Sequence, residues 1–416
     1  MTMRQRRTYD ADCVRAFEAM SDSDLFSDKV KHVAFYHEVT PESVGMLRSA
    51  LDYASRQDDR PIVLHLHSPG GDGTLGIAMA NMIREVAVPI AVMVDGYACS
   101  AVTPMLVSAP YRIGHQYCFV MVHEGAFVFE SGAMIKNGMM MWEVKAMSRL
   151  DAKYRAFYTR HTRIPPETLD DMLSRDLYMD ASTAAKYGVL DRVMRFDHKA
   201  TRKVWASYKR RMPKASDSGA CDIVGTGVRQ WTGCKHVYAY SNDTSSAAVA
   251  PVIHVVAPVQ SYMLEPDPRP PAIVIHYNAY MLPAVRRSID VAPLIVRICA
   301  SPAPVVGIID SDIDIMNALP CIVSHRRYMY EDVDMHVCLV HDHLGQSRTS
   351  YYHDIKANTE MLRAAVRDVL SRWTKLPRAM LATLFEKRVV LSARDCLRYG
   401  IVDEVLPARR RHRNKA

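Results

Sequence analysis

Short segments of the first half of this chain return, in the same order, in the second half. Each lies about 210 residues from its counterpart. The pairs are 31–36 with 235–240, 61–67 with 271–277, 120–124 with 337–342, and 181–193 with 392–405. A repeat that keeps its order and spacing indicates an internal duplication. A length of 416 residues also favours two domains over one core. We therefore predict two related domains in tandem.

From Val30 to Val193, short apolar runs alternate with stretches of helical periodicity. This alternation is typical of an α/β domain. After the first run, Thr40 is a suitable helix N-cap and Pro41 a suitable first helical residue. The predicted strands are 31–36, 61–67, 88–94 and 119–123, and a further helix is predicted over Gly76–Val86.

Residues 197–232 are polar and basic, without sustained periodicity, and are interpreted as a linker. The predicted domains are then 1–196 and 233–407, followed by a basic tail at 408–416. These basic segments carry part of the net charge of +8, and such segments can contact nucleic acid. Neither aromatic interleaving nor a recognised nucleic-acid motif accompanies them, so we expect no nucleic-acid partner.

Nine cysteines form no CxxC pair and have an odd total, a pattern that favours reduced thiols over disulfides or a zinc site. No apolar run approaches the roughly 20 residues of a membrane-spanning helix. The basic N-terminus has no apolar stretch behind it, unlike a secretory signal. We therefore expect a cytoplasmic protein with no membrane segment, no metal and no cofactor.

Several candidate functional residues fall at the ends of the predicted strands. A serine nucleophile requires a base, a group that orients the base, and donors for the oxyanion. Ser100 follows a run of small residues, and His123 closes an apolar strand. Taken singly, each candidate has a structural explanation: Ser100 and Asp176 could cap helices, His123 could be structural, and the Gly70–Gly71 pair could form a turn.

Five motifs follow one another along the first half of the chain: SerProGlyGly 68–71, GlyTyrAlaCysSer 96–100, MetValHisGlu 121–124, ArgAspLeuTyrMetAspAla 175–181 and AlaAlaLysTyrGlyValLeuAsp 184–191. Their combination and order resemble the Clp protease proteolytic subunit family (ClpP). The resemblance implies that Ser100 is the nucleophile, His123 the general base and Asp176 its orienting carboxylate. It further implies that the amides of Gly71 and Ala101 form the oxyanion hole.

The resemblance covers roughly residues 6–195 and implies an α/β fold of the ClpP/crotonase type, a β-β-α spiral. The implied activity is that of a serine endopeptidase acting on peptides or unfolded proteins. The implied partners are further copies in a ring, an AAA+ unfoldase, and a co-assembling ClpP-like chain. Two departures are visible. Glu124-Gly125 stands where the family has Gln-Pro, and Pro104 falls in the helix after Ser100.

The second half lacks these motifs. HisTyrAsnAlaTyr 276–280 replaces the glycine turn, 312–316 aligns with Gly96–Ser100, and Lys387-Arg388 aligns with Arg175-Asp176. Only His341 matches His123, and Ser311 lies about five residues before the aligned position. We expect a catalytically inactive second domain.

Three other functions fit parts of the sequence. The chain could be an assembly subunit with a vestigial triad, which labelling with a fluorophosphonate would test. It could be a crotonase-type acyl-CoA enzyme, which coenzyme A binding would test. Signal-peptide peptidase A also uses tandem ClpP-like domains, but it uses a Ser–Lys dyad and is usually membrane-anchored.

Overall fold

The computed structural model describes residues 3–125, 137–211, 235–238, 273–277, 291–301, 304–337, 351–386 and 389–408. They belong to two compact units. The first unit comprises Met1–Arg195 together with Gly345–Asn358, and the second comprises Phe196–Leu344 and Thr359–Ala416.

The first unit is mixed α/β. In chain order its helices and strands are α1 (Met3–Glu18), β1 (Lys31–Phe35), α2 (Pro41–Gln57), β2 (Ile62–Ser68), α3 (Gly73–Glu85), β3 (Ile90–Cys99), α4 (Thr103–Ser108), β4 (Tyr111–His115), β5 (Phe119–Met121), α5 (Asn137–His161), α6 (Pro166–Leu173), β6 (Tyr178–Asp180), α7 (Ala181–Lys186) and β7 (Arg192–Met194). Short 3-10 turns at Asp24–Phe26 and Ser100–Val102 complete the list.

The remaining elements are α8 (His198–Arg211), β8 (Lys235–Tyr238), β9 (Ile273–Tyr277), α9 (Ala292–Ala300), β10 (Val305–Ile309), β11 (Ile313–Asp314), α10 (Ile315–Ile322), β12 (Arg326–Tyr330), β13 (Asp334–Val337), α11 (Tyr351–Trp373), α12 (Arg378–Thr383), β14 (Val389–Ser392), α13 (Ala393–Arg398) and β15 (Glu404–Leu406). Among the described residues, no helix is both long and apolar enough to cross a membrane.

The sheet of the first unit has the strand order β1-β2-β3-β4-β7, and its neighbouring strands run parallel. Every residue of β2 and β3 is buried. A parallel sheet covered on both faces requires such continuous apolar strands, which explains why these segments show no alternation. The small strand β5 pairs parallel with the end of β3 and antiparallel with β6.

The start of α2 confirms a prediction from local sequence. The Thr40 hydroxyl accepts a hydrogen bond from the Ser43 amide, the Ser43 hydroxyl accepts one from the Thr40 amide, and Pro41 opens the helix. This reciprocal arrangement is a capping box. The third predicted strand, 88–94, instead runs on to Cys99. It does so because residues 97–99 find a new partner, β5, after β4 has ended.

A buried polar network crosses the sheet at β3, and no sequence pattern pointed to it. The Asp95 carboxylate is fully buried and lies 3.0 Å from His65 Nδ1, while the Tyr36 hydroxyl also donates to it. His32 Nδ1 lies 3.0 Å from His65 Nε2. A buried carboxylate needs partners of this kind to offset its lost hydration.

The second unit contains a five-stranded parallel sheet in the order β8-β9-β10-β12-β15 and a small sheet β11-β13-β14. The sheet of the first unit has seven strands in total, since β5 and β6 belong to it as well. In each unit, five strands lie across the parallel part of the sheet in the order in which they occur along the chain. The tandem relation of the two halves stays a prediction. Helix α8 occupies 198–211, within the segment interpreted as a linker; it follows Asp197, whose carboxylate accepts a hydrogen bond from the Lys199 amide.

Candidate active site

The candidate residues meet because β3 and β5 end, and β6 begins, at one edge of the sheet. β3 and β5 run parallel with Cys99 opposite Met121, so Ser100 and His123 follow neighbouring strand ends. β6 runs antiparallel to β5 with Tyr178 opposite Met121. In an antiparallel pair, the residues before Tyr178 lie beside those after Met121. Asp176 is therefore adjacent to His123.

The three side chains form one hydrogen-bonded chain. Ser100 Oγ lies 2.7 Å from His123 Nε2, and His123 Nδ1 lies 2.6 Å from Asp176 Oδ1. An ionised carboxylate can only accept, so His123 Nδ1–H donates to it and Nε2 accepts from the serine hydroxyl. The side chains of His123 and Asp176 are 23% and 33% exposed, so these hydrogen-bonded side chains are accessible from solvent. Such an arrangement can transfer the serine proton to the imidazole.

The backbone at Ser100 has a left-handed conformation. Its φ of 56° is the one positive value at a residue other than glycine in the described part of the chain. This region costs an L-residue about 1–2 kcal/mol, so surrounding contacts must fix it. The Thr103 hydroxyl donates to the Ser100 carbonyl at 2.7 Å and lies 2.6 Å from the buried Tyr158 hydroxyl. Pro104 is tolerated because it lies in the first turn of α4.

The glycine pair lies directly against the serine turn. Gly70 and Gly71 have φ values of 94° and 141°, which only glycine adopts readily. A Cβ atom on Gly70 would lie 2.6 Å from the Cys99 carbonyl oxygen and 2.9 Å from the Ala101 nitrogen. The absence of a side chain thus allows the two backbone segments to approach. Val39 anchors the pair, since its amide donates to the Gly70 oxygen at 2.6 Å.

A cavity of about 190 Å³ opens beside Ser100. It is lined by Gly71, Gly73, Ser100, His123, Glu124, Gly125, Met147, Leu150, Asp151 and Tyr154. Helix α5 supplies its apolar wall, and Asp151 accepts a hydrogen bond from the Gly125 amide at 2.8 Å. Burial raises the pKa of Tyr154, so its hydroxyl stays neutral, and it donates to the Gly73 carbonyl at 2.8 Å.

The contribution of α5 to this cavity was not predicted from the sequence. The sequence of α5 is rich in methionine, a residue that usually fills a core or an interface, and this composition assigns no role to Met147, Leu150, Asp151 or Tyr154. Their spacing of three to four residues places them on one helix face, which was the available signal. By contrast, Ser100, His123, Asp176 and Gly71 are brought together, and Ala101 adjoins them with only 2% of its surface exposed.

The segment 312–316, predicted to align with Gly96–Ser100, has a different arrangement. Met316, the predicted counterpart of Ser100, lies in α10 and is 7% exposed. The Asp314 carboxylate caps this helix by accepting from the amides of Met316 and Asn317 at 2.9 and 3.0 Å. Ser311 precedes β11. His341, 278–280 and 387–388 lie outside the described residues.

Comparison with known proteins gives a family-model match in the first half of the chain and relatives of the same description. Residues 20–197 match the family model described as Clp protease. The ATP-dependent Clp protease proteolytic subunit of Pleurastrum terricola is 26% identical over 159 residues, covering 38% of this chain and 79% of that protein. The ATP-dependent Clp protease proteolytic subunit 1 of Chlamydia pneumoniae is 26% identical over 171 residues, covering 40% of this chain and 87% of that protein.

A solved structure also matches part of the chain. A ClpP1 point mutant from Listeria monocytogenes is 19% identical, with a TM-score of 0.35, over 42% of this chain and 93% of that one.

Proposed function

Since this chain is a ClpP-like protein, we propose that it is a serine endopeptidase whose catalytic triad is Ser100, His123 and Asp176. The observation that carries the proposal is the continuous hydrogen-bonded chain of 2.7 and 2.6 Å from the serine hydroxyl to the carboxylate. Its position beside a cavity and a glycine segment gives a substrate carbonyl a place to bind.

The proposed reaction follows from which groups donate and which accept. Ser100 Oγ attacks the peptide carbonyl carbon while its proton passes to His123 Nε2. The resulting oxyanion accepts hydrogen bonds from the Gly71 and Ala101 amides. The C–N bond then breaks as His123 returns the proton to the departing amine, leaving an acyl ester on Ser100. Water repeats the cycle and releases the acid. Asp176 stays ionised, orients the imidazole and stabilises its cationic form.

The assembly is also part of the proposal. We expect self-association into a ring, substrates that are peptides or unfolded proteins, and a cytoplasmic location. An AAA+ unfoldase and a separate ClpP-like chain are the expected partners. The second half, with Met316 buried at the aligned position, is expected to act as an inactive scaffold. The shared order of the two parallel sheets supports a duplicated origin for the two halves.

A covalent probe tests the nucleophile directly. We expect a fluorophosphonate to add its phosphonyl group to the Ser100 oxygen with loss of fluoride, and peptide mass spectrometry to locate the adduct there. The reaction should require folded protein, since a serine hydroxyl without an adjacent base is a weak nucleophile. Modification of other serines alone, at rates equal to those in denatured protein, would contradict the proposal.

The glycine segment gives a second test. We expect Gly70→Ala to lower kcat/KM by at least about a hundredfold, the scale seen for loss of an oxyanion donor, because its Cβ would meet the backbone at Cys99 and Ala101. Gly45→Ala is the matched control: Gly45 lies on the exposed face of α2, with nothing within 4 Å of an added Cβ. The control should retain activity and gain slight stability. Equal activity of both variants would show that the close approach of Gly70 to the backbone at Cys99 and Ala101 is not needed for catalysis.

A further inference from the structure

The segment that carries Asp176 has little regular structure of its own. Asp176 and Leu177 lie between the end of α6 and the start of β6, outside any helix or strand. The geometry of the carboxylate therefore depends on contacts that this segment makes with other parts of the first unit. Residues 351–358, at the start of α11, belong to that unit and supply such contacts.

One contact is an ion pair of Arg175, the residue that precedes Asp176 in the sequence. Arg175 Nε and Nη2 lie 2.9 and 2.5 Å from Asp354 Oδ1. Asp354 is only 4% exposed, while the Arg175 side chain is 37% exposed, so solvent screens the pair less than it would if both groups lay at the surface. The hydrogen bond to Asp354 raises the pKa of Arg175, which keeps the guanidinium charged.

A second contact holds the backbone on both sides of Leu177. Asn358 Nδ2 donates to the Asp176 carbonyl at 2.8 Å, and Asn358 Oδ1 accepts from the Tyr178 amide at 3.0 Å. One side-chain amide thus fixes the orientation of two peptide groups. Asn358 is 7% exposed, and loss of either partner would leave a poorly hydrated polar group.

Asp354 and Asn358 act from one surface, because residues four apart lie on the same face of a helix. Together they fix Arg175, the Asp176 carbonyl and the Tyr178 amide, which bracket the carboxylate. Triad geometry must be held within about 0.5 Å to function. Neither residue touches Ser100 or His123 in the contacts described above.

We propose that Asp354 and Asn358 are positioning residues that hold the Asp176 carboxylate against His123, a role that rests on the proposed function. They lie 179 and 182 positions from their partners, in the half of the sequence that lacks the catalytic motifs, and they thereby complete the active site. A chain ending before residue 351 would contain every triad residue and lack these supports.

The test uses the full-length chain and a small peptide substrate. We expect Asn358→Ala and Asp354→Asn each to lower kcat by about tenfold or more, with KM changed by less than about twofold, because the triad and not the substrate cavity is disturbed. The rate of fluorophosphonate labelling at Ser100 should fall in the same proportion. Asp354→Glu should restore part of the activity by keeping the charge. The matched control is Glu360→Gln, an exposed position on the same helix paired with Arg363, which should behave as wild type.

A double-mutant comparison separates positioning from general stability. In the Asp176→Asn background, Asn358→Ala should cause no further loss of kcat, since a residue that acts through Asp176 has nothing left to orient. A further tenfold loss there, or wild-type kcat in both folded single variants, would overturn the inference. If Asn358→Ala does not fold, Asp354→Asn decides, because it changes charge at nearly constant volume. Failure of wild-type protein to label or hydrolyse peptide would instead refute the proposed function.

Discussion

Ser100→Ala is expected to abolish peptide hydrolysis while leaving the fold intact. The hydroxyl makes its hydrogen bond to His123 and fills little volume, so removing it creates no large cavity. Loss of a triad nucleophile lowers kcat by a factor of about 10⁴–10⁶ in well-studied enzymes. The measurements are kcat on a small peptide substrate and the melting temperature of each purified protein.

The backbone conformation at residue 100 imposes the same requirement on Ser100→Ala as on the wild-type protein. Alanine must also adopt the left-handed conformation, so the variant keeps the same backbone requirement as serine. Ser311→Ala serves as the control, because Ser311 aligns with no catalytic position and should retain activity within about twofold. Residual hydrolysis by Ser100→Ala above a few per cent of wild type would remove Ser100 as the nucleophile.

Asp176→Asn is expected to lower kcat by about 10⁴-fold with little change in KM or stability. The amide is nearly isosteric with the carboxylate, but it no longer stabilises the imidazolium and can present its NH₂ to Nδ1. That contact favours the wrong tautomer of His123, the reason given for the corresponding loss in chymotrypsin-type enzymes. The readouts are kcat, KM and the rate of fluorophosphonate labelling at Ser100.

A nearby aspartate provides the matched control. The alternative role for Asp176 was to cap the helix that begins at Ala181, yet the cap is Asp180, whose carboxylate accepts from the Thr183 amide at 2.7 Å. Asparagine caps helices about as well as aspartate. Asp180→Asn should therefore be stable and active. If Asp176→Asn were equally active, Asp176 would have no place in the triad.

Much of the first unit could be predicted because its signals are local. Thr40, Pro41 and Ser43 act within one turn of α2, and the apolar runs of β2 and β3 reflect burial on both faces of a parallel sheet. The polar residues at strand ends were also visible, since parallel strands present their carboxyl ends at one edge. In the structure, Ser100 and Asp176 each lie within hydrogen-bonding distance of His123, while their catalytic role stays a proposal.

Helix α5 shows where local signals were present but ambiguous. Met147, Leu150 and Tyr154 have helical spacing, which is the same for a core face, an interface and a cavity wall. Only the tertiary structure, which places these side chains beside Gly73 and Gly125, shows that they form the wall of a cavity. Similarly, the segment 198–211 forms α8 although its composition favours a linker, because helix formation in a protein depends on tertiary packing more than on propensity.

The sequence by itself determined which residues are the candidates for catalysis and where β1, β2 and β3 of the parallel sheet lie, because both depend on residue type and on spacing along the chain. Tertiary structure alone decided which distant groups meet. The pairing of His65 and Tyr36 with Asp95, and the support of Asp176 by Asn358, join residues 30 to 182 positions apart. Such contacts depend on how the chain folds back on itself, and a polar residue that will be buried against a distant partner has the same local pattern as one that will face water.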